Sequence, residues 1–213
     1  RRSKLVGNAR VAVSSGRATV TEQVLGCALE CRWRKLLLHK HEYETPLACT
    51  KYATDAVWWE YPLDVIHKIP PDRLKESAAG VLNLLISLVP SAAACDARDI
   101  GGCVFWKRVA GVDAETAAGD GNEGLLNPVP NDGCHEITVG LCLFDATPDG
   151  VGLVTAAFDK LGEVWEKALT LVRTCACEKG CPGCVNAGGR QHQETDKKYA
   201  RIALEGITGA WMT

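Results

Sequence analysis

The sequence Cys175-Ala-Cys177-Glu-Lys-Gly-Cys181-Pro-Gly-Cys184 places four of the chain's 11 cysteines close together. A C-x2-C pair turns tightly enough to present two sulfurs to one ion, and the intervening proline and glycine suit that turn. The C-x-C pair supplies two further thiols, and the glycine before Cys181 permits a reversal between the pairs. Structural zinc takes four such ligands in a tetrahedron. The stretch therefore predicts a zinc site formed by Cys175, Cys177, Cys181 and Cys184.

The predicted ion has a structural role. Because protein thiolates fill all four positions, no position stays open for the water that a catalytic zinc would need. Zinc binding in finger peptides contributes about 10–16 kcal/mol, which is comparable with the stability of about 5–15 kcal/mol of a whole domain. The metal is therefore expected to decide whether this end of the chain folds.

Two other cysteine roles are open. Cys181 and Cys184 could form a redox dithiol, although such motifs normally follow a strand and this one follows a predicted helix. A second metal group could form where C-x3-C and H-x-H spacings occur, at Cys27, Cys31, His39 and His41. Core cysteines and surface histidines are the plainer interpretation of that set.

Cysteine usage and apolar patterning also indicate the compartment. An odd number of cysteines cannot pair completely, and neither a signal peptide nor an N-glycosylation sequon is present, so we expect a reducing compartment. The longest apolar stretch, Val81 to Val89, is too short to cross a bilayer, so no membrane partner is expected. Because the chain begins at Arg1, we expect it to be part of a longer polypeptide.

Helices are predicted on both sides of the cysteine stretch. Apolar residues recur at helical spacing from about Leu153 to Thr174, and a last helix is predicted from about Thr195 to Ile207. An earlier helix is predicted to begin at Pro70-Pro71-Asp72 and to end at Pro90. Its wide apolar stripe places it at the centre of the core.

Strand-like runs dominate the first part of the chain. Short apolar runs separated by polar turns, such as Ser14-Ser15-Gly16-Arg17, continue to about residue 61 and predict a small barrel or curled sheet. Later strands are predicted at Cys103 to Trp106 and Thr138 to Asp145. The predicted fold class is α+β, with a β-barrel-like region over 1–61 and helices packed on a small sheet over 62–213. Residues 110–133, rich in Gly, Asp, Asn and Pro, are predicted to be a flexible insertion.

Three aspartates form a candidate acidic site. Asp96 and Asp99 precede a Gly-Gly pair, and Asp145 ends a predicted strand before a Pro-Asp-Gly turn. Carboxylates in such places can hold a divalent metal or act as a general base, which allows a nuclease-like site. The alternative interpretation is that they cap helices and turns. No matching His or Lys supplies the rest of a hydrolytic site.

Basic and aromatic residues near the start of the chain are candidate nucleic-acid contacts. Residues 1–68 hold 11 Lys and Arg against 7 Asp and Glu, although the whole chain has a net charge of -2. Trp58 and Trp59 offer rings that can stack on bases, while paired tryptophans more commonly divide between core and interface. The phosphate contacts are predicted at Arg32, Trp33, Arg34 and Lys35.

Motifs for nucleotide hydrolysis are missing from this sequence. It contains no Gly-Lys dipeptide and therefore no Walker A loop. It also lacks a nucleophile elbow, an H-E-x-x-H motif and a Rossmann fingerprint. The chain is therefore predicted to have no ATPase motor and no catalytic residue of its own.

Several motifs in order resemble one known domain. They are Ala56-Val-Trp58-Trp59-x-x-Pro62, Cys95-Asp96-x-x-Asp99-Ile-Gly101-Gly102, Phe144-Asp145-Ala-x-Pro148-x-Gly150-x-Gly152, the cysteine stretch and Asp196-Lys197-x-x-Ala200. Over roughly residues 40–205 the chain resembles the MrfA-type zinc-binding domain at the C-terminus of MrfA-like superfamily 2 helicases and their RecQ-like fungal and plant relatives. It departs from them at Pro148-Asp149-Gly150, where Pro-Gly-Gly is usual, and in its longer insertion.

The resemblance implies the biological setting. It implies zinc on the four cysteines, helicase motor domains in the same polypeptide, and ATP used by those domains only. It further implies an ATP-dependent DNA helicase of 3'-to-5' polarity that acts in the repair of crosslinked or damaged DNA. DNA is then a partner, directly or through the parent protein. The insertion and the cysteine content favour a eukaryotic source and hence the nucleus, whereas a bacterial source would mean the cytoplasm.

Three functional hypotheses follow. The main one is a noncatalytic, zinc-held module that shapes the DNA path or braces the motor domains. The second is the nuclease-like site at the three aspartates. The third is a protein-interaction module that docks a repair partner.

Overall fold

A computed structural model describes residues 1–8, 10–31, 36–45, 47–108, 137–187 and 195–210. The predicted insertion at 110–133 and the basic run at 32–35 lie outside the described residues.

Five antiparallel strands form the main sheet, in the order β1-β2-β5-β7-β6. Its strands are β1 (Arg2–Val6), β2 (Val11–Gln23), β5 (Cys49–Glu60), β6 (Ile100–Arg108) and β7 (Ile137–Asp145). Between β2 and β5 the chain forms a separate two-stranded hairpin of β3 (Gly26–Cys31) and β4 (Leu36–Glu42). The predicted α+β class is confirmed.

The predicted barrel-like region is wrong for the described strands, which form an open sheet with β1 and β6 at its edges. The error began at residues 14–17, because the predicted turn lies inside β2. There Ser14 pairs with Trp58 and Arg17 with Asp55, so one long strand replaces two short ones. Pairing of long strands overrides the local turn preference of Ser and Gly. The sheet also takes strands from both sides of the boundary predicted at residue 61.

Six α-helices are described alongside the sheet. They are α1 (Leu63–Ile66), α2 (Leu74–Leu88), α3 (Pro90–Ala93), α4 (Leu153–Asp159), α5 (Leu161–Thr174) and α6 (Lys197–Thr208). Short 3-10 turns occupy Pro71–Arg73 and Ala97–Asp99. The helices predicted over about 70–90, 153–174 and 195–207 are thus confirmed in position.

Two helix boundaries differ from the predictions. Pro90 begins α3 instead of ending the helical segment, because a proline at a first helical position gives up no internal hydrogen bond. The segment ends at Ala94, which adopts left-handed backbone angles. The predicted helix from Leu153 to Thr174 is interrupted at Lys160, whose φ of -103° and ψ of 9° separate α4 from α5.

The core lies between the helices and one face of the sheet. Val57 and Trp59 of β5 and Leu141 of β7 alternate towards it, and each is almost fully buried. Trp165 of α5 packs beside Trp59 with ring centroids 5.3 Å apart. The segment Pro71–Ala93 is long and apolar enough to cross a membrane, but 61% of its most apolar window is buried inside the fold, as expected of a core helix.

Candidate metal centre

The four cysteines of the predicted zinc site converge where α5 ends. We call residues 175–184 the zinc knuckle. The Sγ atoms of Cys175 and Cys177, of Cys175 and Cys181, and of Cys177 and Cys184 are 3.5 Å apart in each case. The Sγ atoms of Cys181 and Cys184 are 3.6 Å apart.

These separations fit a tetrahedral zinc ion. With zinc–sulfur bonds of about 2.3 Å, neighbouring sulfurs of a tetrahedron lie about 3.8 Å apart. All four sulfurs lie within 4.8 Å of one another, and among the described residues this is the one group of His, Cys, Asp and Glu with such convergence. The predicted zinc site is confirmed as a site of four cysteines, and four sulfurs leave no position for a substrate or water.

Backbone geometry of the knuckle brings the second thiol pair together. The Cys184 N–H donates to the Cys181 carbonyl at 2.9 Å, and the Cys181 N–H donates to the Cys184 sulfur at 3.3 Å. Gly180 adopts a φ of +118°, and a Cβ there would lie 2.6 Å from Cγ2 of Val185. A glycine is therefore required at the reversal that the sequence predicted.

The thiols have different proton affinities before they bind metal. Burial raises the pKa of Cys177, but hydrogen bonds with Cys184, Cys175 and Cys181, together with a backbone hydrogen bond from Gly180, lower it to about 7. Burial raises the pKa of Cys184 to about 12. At neutral pH a metal must therefore displace at least the Cys184 proton, and zinc affinity is expected to fall as pH falls.

Lys197 at the start of α6 supports the knuckle from outside. Its Nζ donates to the Cys175 carbonyl at 2.6 Å and also to the Cys177 carbonyl. The cation thus lies beside two ligand residues, where it offsets the negative charge of a zinc ion bound by four thiolates. The sequence contained this lysine in the Asp196-Lys197 motif, but gave no signal that it meets the cysteines.

Contacts from α2 hold Val185, the residue that follows the knuckle. The buried Asn83 of α2 donates from Nδ2 to the Val185 carbonyl at 3.2 Å. At Gly80, an added Cβ would meet Cβ of Ala200 at 3.2 Å and Cβ of Val185 at 3.3 Å. The Ser77 hydroxyl of α2 donates to the Tyr199 carbonyl at 3.0 Å. Val185, the residue after the knuckle, is therefore held by α2, and α2 is held to α6 beside it. Helical periodicity identifies Asn83 and Gly80 only as members of a buried stripe.

Asp145 does not act as part of the predicted acidic site. It is fully buried, and its Oδ2 accepts N–H bonds from Val151, Gly152 and Leu153 at 2.7–3.1 Å. Its Oδ1 accepts the Val154 N–H at 2.8 Å. These four bonds use the acceptor capacity of the carboxylate, so Asp145 anchors the start of α4 rather than presenting oxygens to a metal.

Asp96 and Asp99 form a capping box. The Asp96 Oδ1 accepts the Arg98 N–H at 2.8 Å, and the Asp99 Oδ2 accepts the Asp96 N–H at 3.0 Å. The arrangement stabilises the 3-10 turn Ala97–Asp99. The three aspartates are thus used by the backbone, as the capping interpretation predicts, and they do not assemble into a metal-ligand group.

The tryptophan pair divides between the two faces of the sheet. Trp59 is 1% exposed, so its ring has no free face for a base, and its predicted nucleic-acid contact is incompatible with this position. Alternation along β5 causes the burial. Trp58 is half-buried on the opposite face, with the Arg1 guanidinium 5.5 Å from its ring centroid. The remaining predicted contacts, Arg32, Trp33, Arg34 and Lys35, lie outside the described residues.

The weaker cysteine hypotheses receive no geometric support. The thiols of Cys181 and Cys184 share one cluster with two further thiols after α5, unlike an isolated redox dithiol. In the β3–β4 hairpin, Cys27 pairs with His41, and the His39 and His41 rings stack 6.4 Å apart. These three residues do not form a metal-ligand group, and the side chain of Cys31, the fourth predicted ligand, lies outside the described part of the structure.

Comparison with known proteins gives matches to one group of helicases. Residues 81–185, which include the zinc knuckle, match the family model of the MrfA Zn-binding domain. A curated relative, the uncharacterized ATP-dependent helicase YprA of Bacillus subtilis (strain 168), is 27% identical over 132 residues. That alignment covers 62% of this chain and 14% of YprA.

A solved structure is similar across nearly the whole fold. The crystal structure of the DUF1998 helicase MrfA bound to DNA matches with a TM-score of 0.60 and 20% sequence identity. The match covers 97% of this chain and 23% of the MrfA chain. The β-rich part of the chain, outside the family match, therefore shares that fold as well. The chain spans less than a quarter of the length of either helicase.

Proposed function

Because residues 81–185 match the family model of the MrfA Zn-binding domain, we propose that this chain is a noncatalytic accessory part of an ATP-dependent DNA helicase. The zinc knuckle is the observation that carries the proposal. Its four thiols offer an ion four protein ligands where α5 ends, and Lys197 of α6 donates to two of these residues, so the site suits a scaffold and not a reaction centre. Both helicase relatives are much longer than this chain, which fits motor domains elsewhere in the parent polypeptide.

The scaffold acts on DNA unwinding by bracing the motor domains or by shaping the DNA path. A zinc-held module does not hydrolyse ATP, so its loss should separate ATP use from strand separation. The test is Cys181→Ser in the full-length parent, compared with Cys49→Ser at an exposed cysteine outside the knuckle. We expect ATP hydrolysis to persist and unwinding to fall at least about tenfold in the first variant only. Normal unwinding by a zinc-free Cys181→Ser protein would contradict the proposal.

The proposal also includes direct contact between this chain and DNA. The half-buried Trp58 beside Arg1 supports it, because an accessible aromatic ring next to a cation can stack on a base and contact its phosphate. A salt titration of DNA binding by this chain measures the number of phosphate contacts from the slope. Trp58→Ala should weaken DNA binding. If DNA binding does not depend on salt and Trp58→Ala binds DNA as tightly as the unchanged chain, direct contact is contradicted and the bracing role remains.

The repair role and the cellular location also belong to the proposal. The resemblance to repair helicases supports 3'-to-5' unwinding and action on crosslinked or damaged DNA, and the predicted insertion supports a eukaryotic nucleus. Unwinding of substrates with a single 3' or 5' tail tests the polarity. Survival of deletion cells after a crosslinking agent tests the repair role, and imaging of a fluorescent fusion tests the location.

A further inference from the structure

Two cysteines outside the zinc knuckle face each other across the sheet. Cys103 of β6 is directly opposite Cys142 of β7. The neighbouring pairs, Gly102 with Leu143 and Val104 with Leu141, continue the same register, so no bulge separates the two thiols. The Cys142 thiol also contacts the Leu143 carbonyl at 3.8 Å.

The strand geometry permits a covalent bond between them. Residues directly opposite in antiparallel strands have Cα atoms about 4.5–5.5 Å apart. A disulfide requires a Cα separation of about 4.4–6.8 Å. The two cysteines therefore meet the distance requirement without a change in strand pairing.

The surroundings hold the two strands in this register. Cys142 alternates with the buried Leu141 and Leu143, so the pair lies on the sheet face opposite the core helices. On that face, a Cβ at Gly101 would lie 2.1 Å from the Phe144 ring, and a Cβ at Gly140 would lie 2.1 Å from the Phe105 ring. An aromatic ring thus packs on a glycine on each side of the pair.

The pair is also accessible and chemically asymmetric. Both cysteines are half-buried, so part of each residue remains in contact with solvent. The hydrogen bond with Cys142 lowers the pKa of Cys103 despite its burial. The same hydrogen bond, together with burial, raises the pKa of Cys142. Cys103 is therefore suited to attack first, and Cys142 to resolve the intermediate.

We propose that Cys103 and Cys142 form a reversible disulfide, a redox site separate from the zinc knuckle. With a low-molecular-weight disulfide such as glutathione disulfide as oxidant, the Cys103 thiolate attacks one sulfur and releases one glutathione thiolate. Cys142 then loses its proton and attacks Cys103 Sγ, which releases the second glutathione. Two protein thiols are oxidised to one disulfide while one glutathione disulfide is reduced to two thiols.

The bond would link β6 to β7 covalently and close the chain between residues 103 and 142. Closing a loop of this length restricts the unfolded chain, so the oxidised protein should resist unfolding more than the reduced protein. We expect the Tm of the zinc-loaded chain to rise by roughly 5–10 °C on oxidation. Reduction with a dithiol should reverse the rise.

The experiment exposes the zinc-loaded chain to glutathione disulfide, blocks free thiols with an alkylating agent and maps the peptides by mass spectrometry. We expect a linked Cys103–Cys142 peptide, an unchanged zinc content and a raised Tm. Cys103→Ser and Cys142→Ser should each abolish the linked peptide and the Tm rise. Cys49→Ser, at an exposed cysteine of β5, should retain both.

Two outcomes would overturn the proposal. In one, both thiols remain open to alkylation, or carry only mixed glutathione disulfides, at a concentration that modifies the exposed Cys27 and Cys49. In the other, zinc is released and links form within the knuckle before any Cys103–Cys142 link appears. The zinc and helicase proposals do not depend on either result.

Discussion

The zinc knuckle and the β7–α4 corner solve the same structural problem with different chemistry. Each joins a helix end to a neighbouring segment through anionic side chains. The knuckle uses four thiols that converge within 4.8 Å, whereas the corner uses the single carboxylate of Asp145 with four backbone N–H donors. The corner is complete within the chain, because every partner of its charge is a protein group.

The difference lies in what each junction requires from solution. Without a cation the four neighbouring thiols cannot all ionise, so the complete knuckle depends on zinc and becomes sensitive to chelators, acid and oxidants. Four N–H groups at a helix start already carry the partial positive charge that a carboxylate needs. We therefore expect the knuckle to fail when solution conditions change, and the corner to fail only by mutation.

The largest effect is expected from Cys181→Ser. Loss of one thiolate weakens a zinc affinity of about 10–16 kcal/mol, which is similar to the whole stability of a domain. The C-terminal helices should lose their cooperative unfolding transition, measured by circular dichroism, and zinc should fall well below one ion per chain by elemental analysis. A metal-free Cys181→Ser protein with a normal transition would remove the contrast between the two junctions.

Asp145→Asn is expected to have the second-largest effect. The amide that replaces one carboxylate oxygen would point its own donors at backbone N–H groups in a fully buried site. Such a change should cost about 3–5 kcal/mol in the free energy of unfolding, measured in urea, while zinc content stays normal. Asp149→Asn, with its side chain 94% exposed, is the control and should change stability by less than about 0.5 kcal/mol.

Gly180→Ala tests the knuckle without touching a ligand. The added methyl group would meet Val185 at 2.6 Å, and alanine disfavours the φ of +118°. We expect a loss of about 2–3 kcal/mol and weaker zinc binding in a competition with a chromogenic chelator. Gly183→Ala is the matched control, because its Cβ would meet only Cys181 Sγ at an ordinary 3.7 Å. Equal effects from the two variants would contradict this account of the reversal.

Lys197→Met should have the smallest effect of the series. It removes two hydrogen bonds to the Cys175 and Cys177 carbonyls but keeps most of the side-chain length. The free energy of unfolding should fall by about 1–2 kcal/mol, and the Kd for zinc should rise about tenfold. Lys179→Met, at an exposed position between the thiol pairs, is the control for a simple loss of charge. An unchanged zinc affinity in Lys197→Met would assign the lysine a role in packing alone.

The sequence predicted the knuckle because its determinants are local. Ligand type, spacing and the turn residues all lie within residues 175–184, so no tertiary information is needed. The apolar periods that mark α2 and α5 are similarly local. The class of the fold and the metal site were therefore accessible from one sequence.

Predictions failed where tertiary pairing overrides local preference. The polar residues 14–17 pair with β5 and so form part of β2 instead of a turn. The strands therefore form an open sheet and not the predicted barrel. Spacing along the chain also could not reveal that Lys197 contacts the knuckle and that Asn83 contacts Val185, the residue after it. For Asp145, the sequence predicted a carboxylate at the end of a strand. The four backbone N–H groups that donate to this carboxylate could be identified only from the structure.

The four zinc ligands lie close together along the chain, and this closeness also affects the order in which the parts of the fold form. Loops of about ten residues close in roughly 10–100 ns, so the thiols can meet an ion without help from the rest of the chain. The contact between Asn83 and Val185 joins positions 102 residues apart and must await the collapse of the core. We therefore expect metal capture to precede helix docking, so that zinc supply during synthesis controls the yield of native protein.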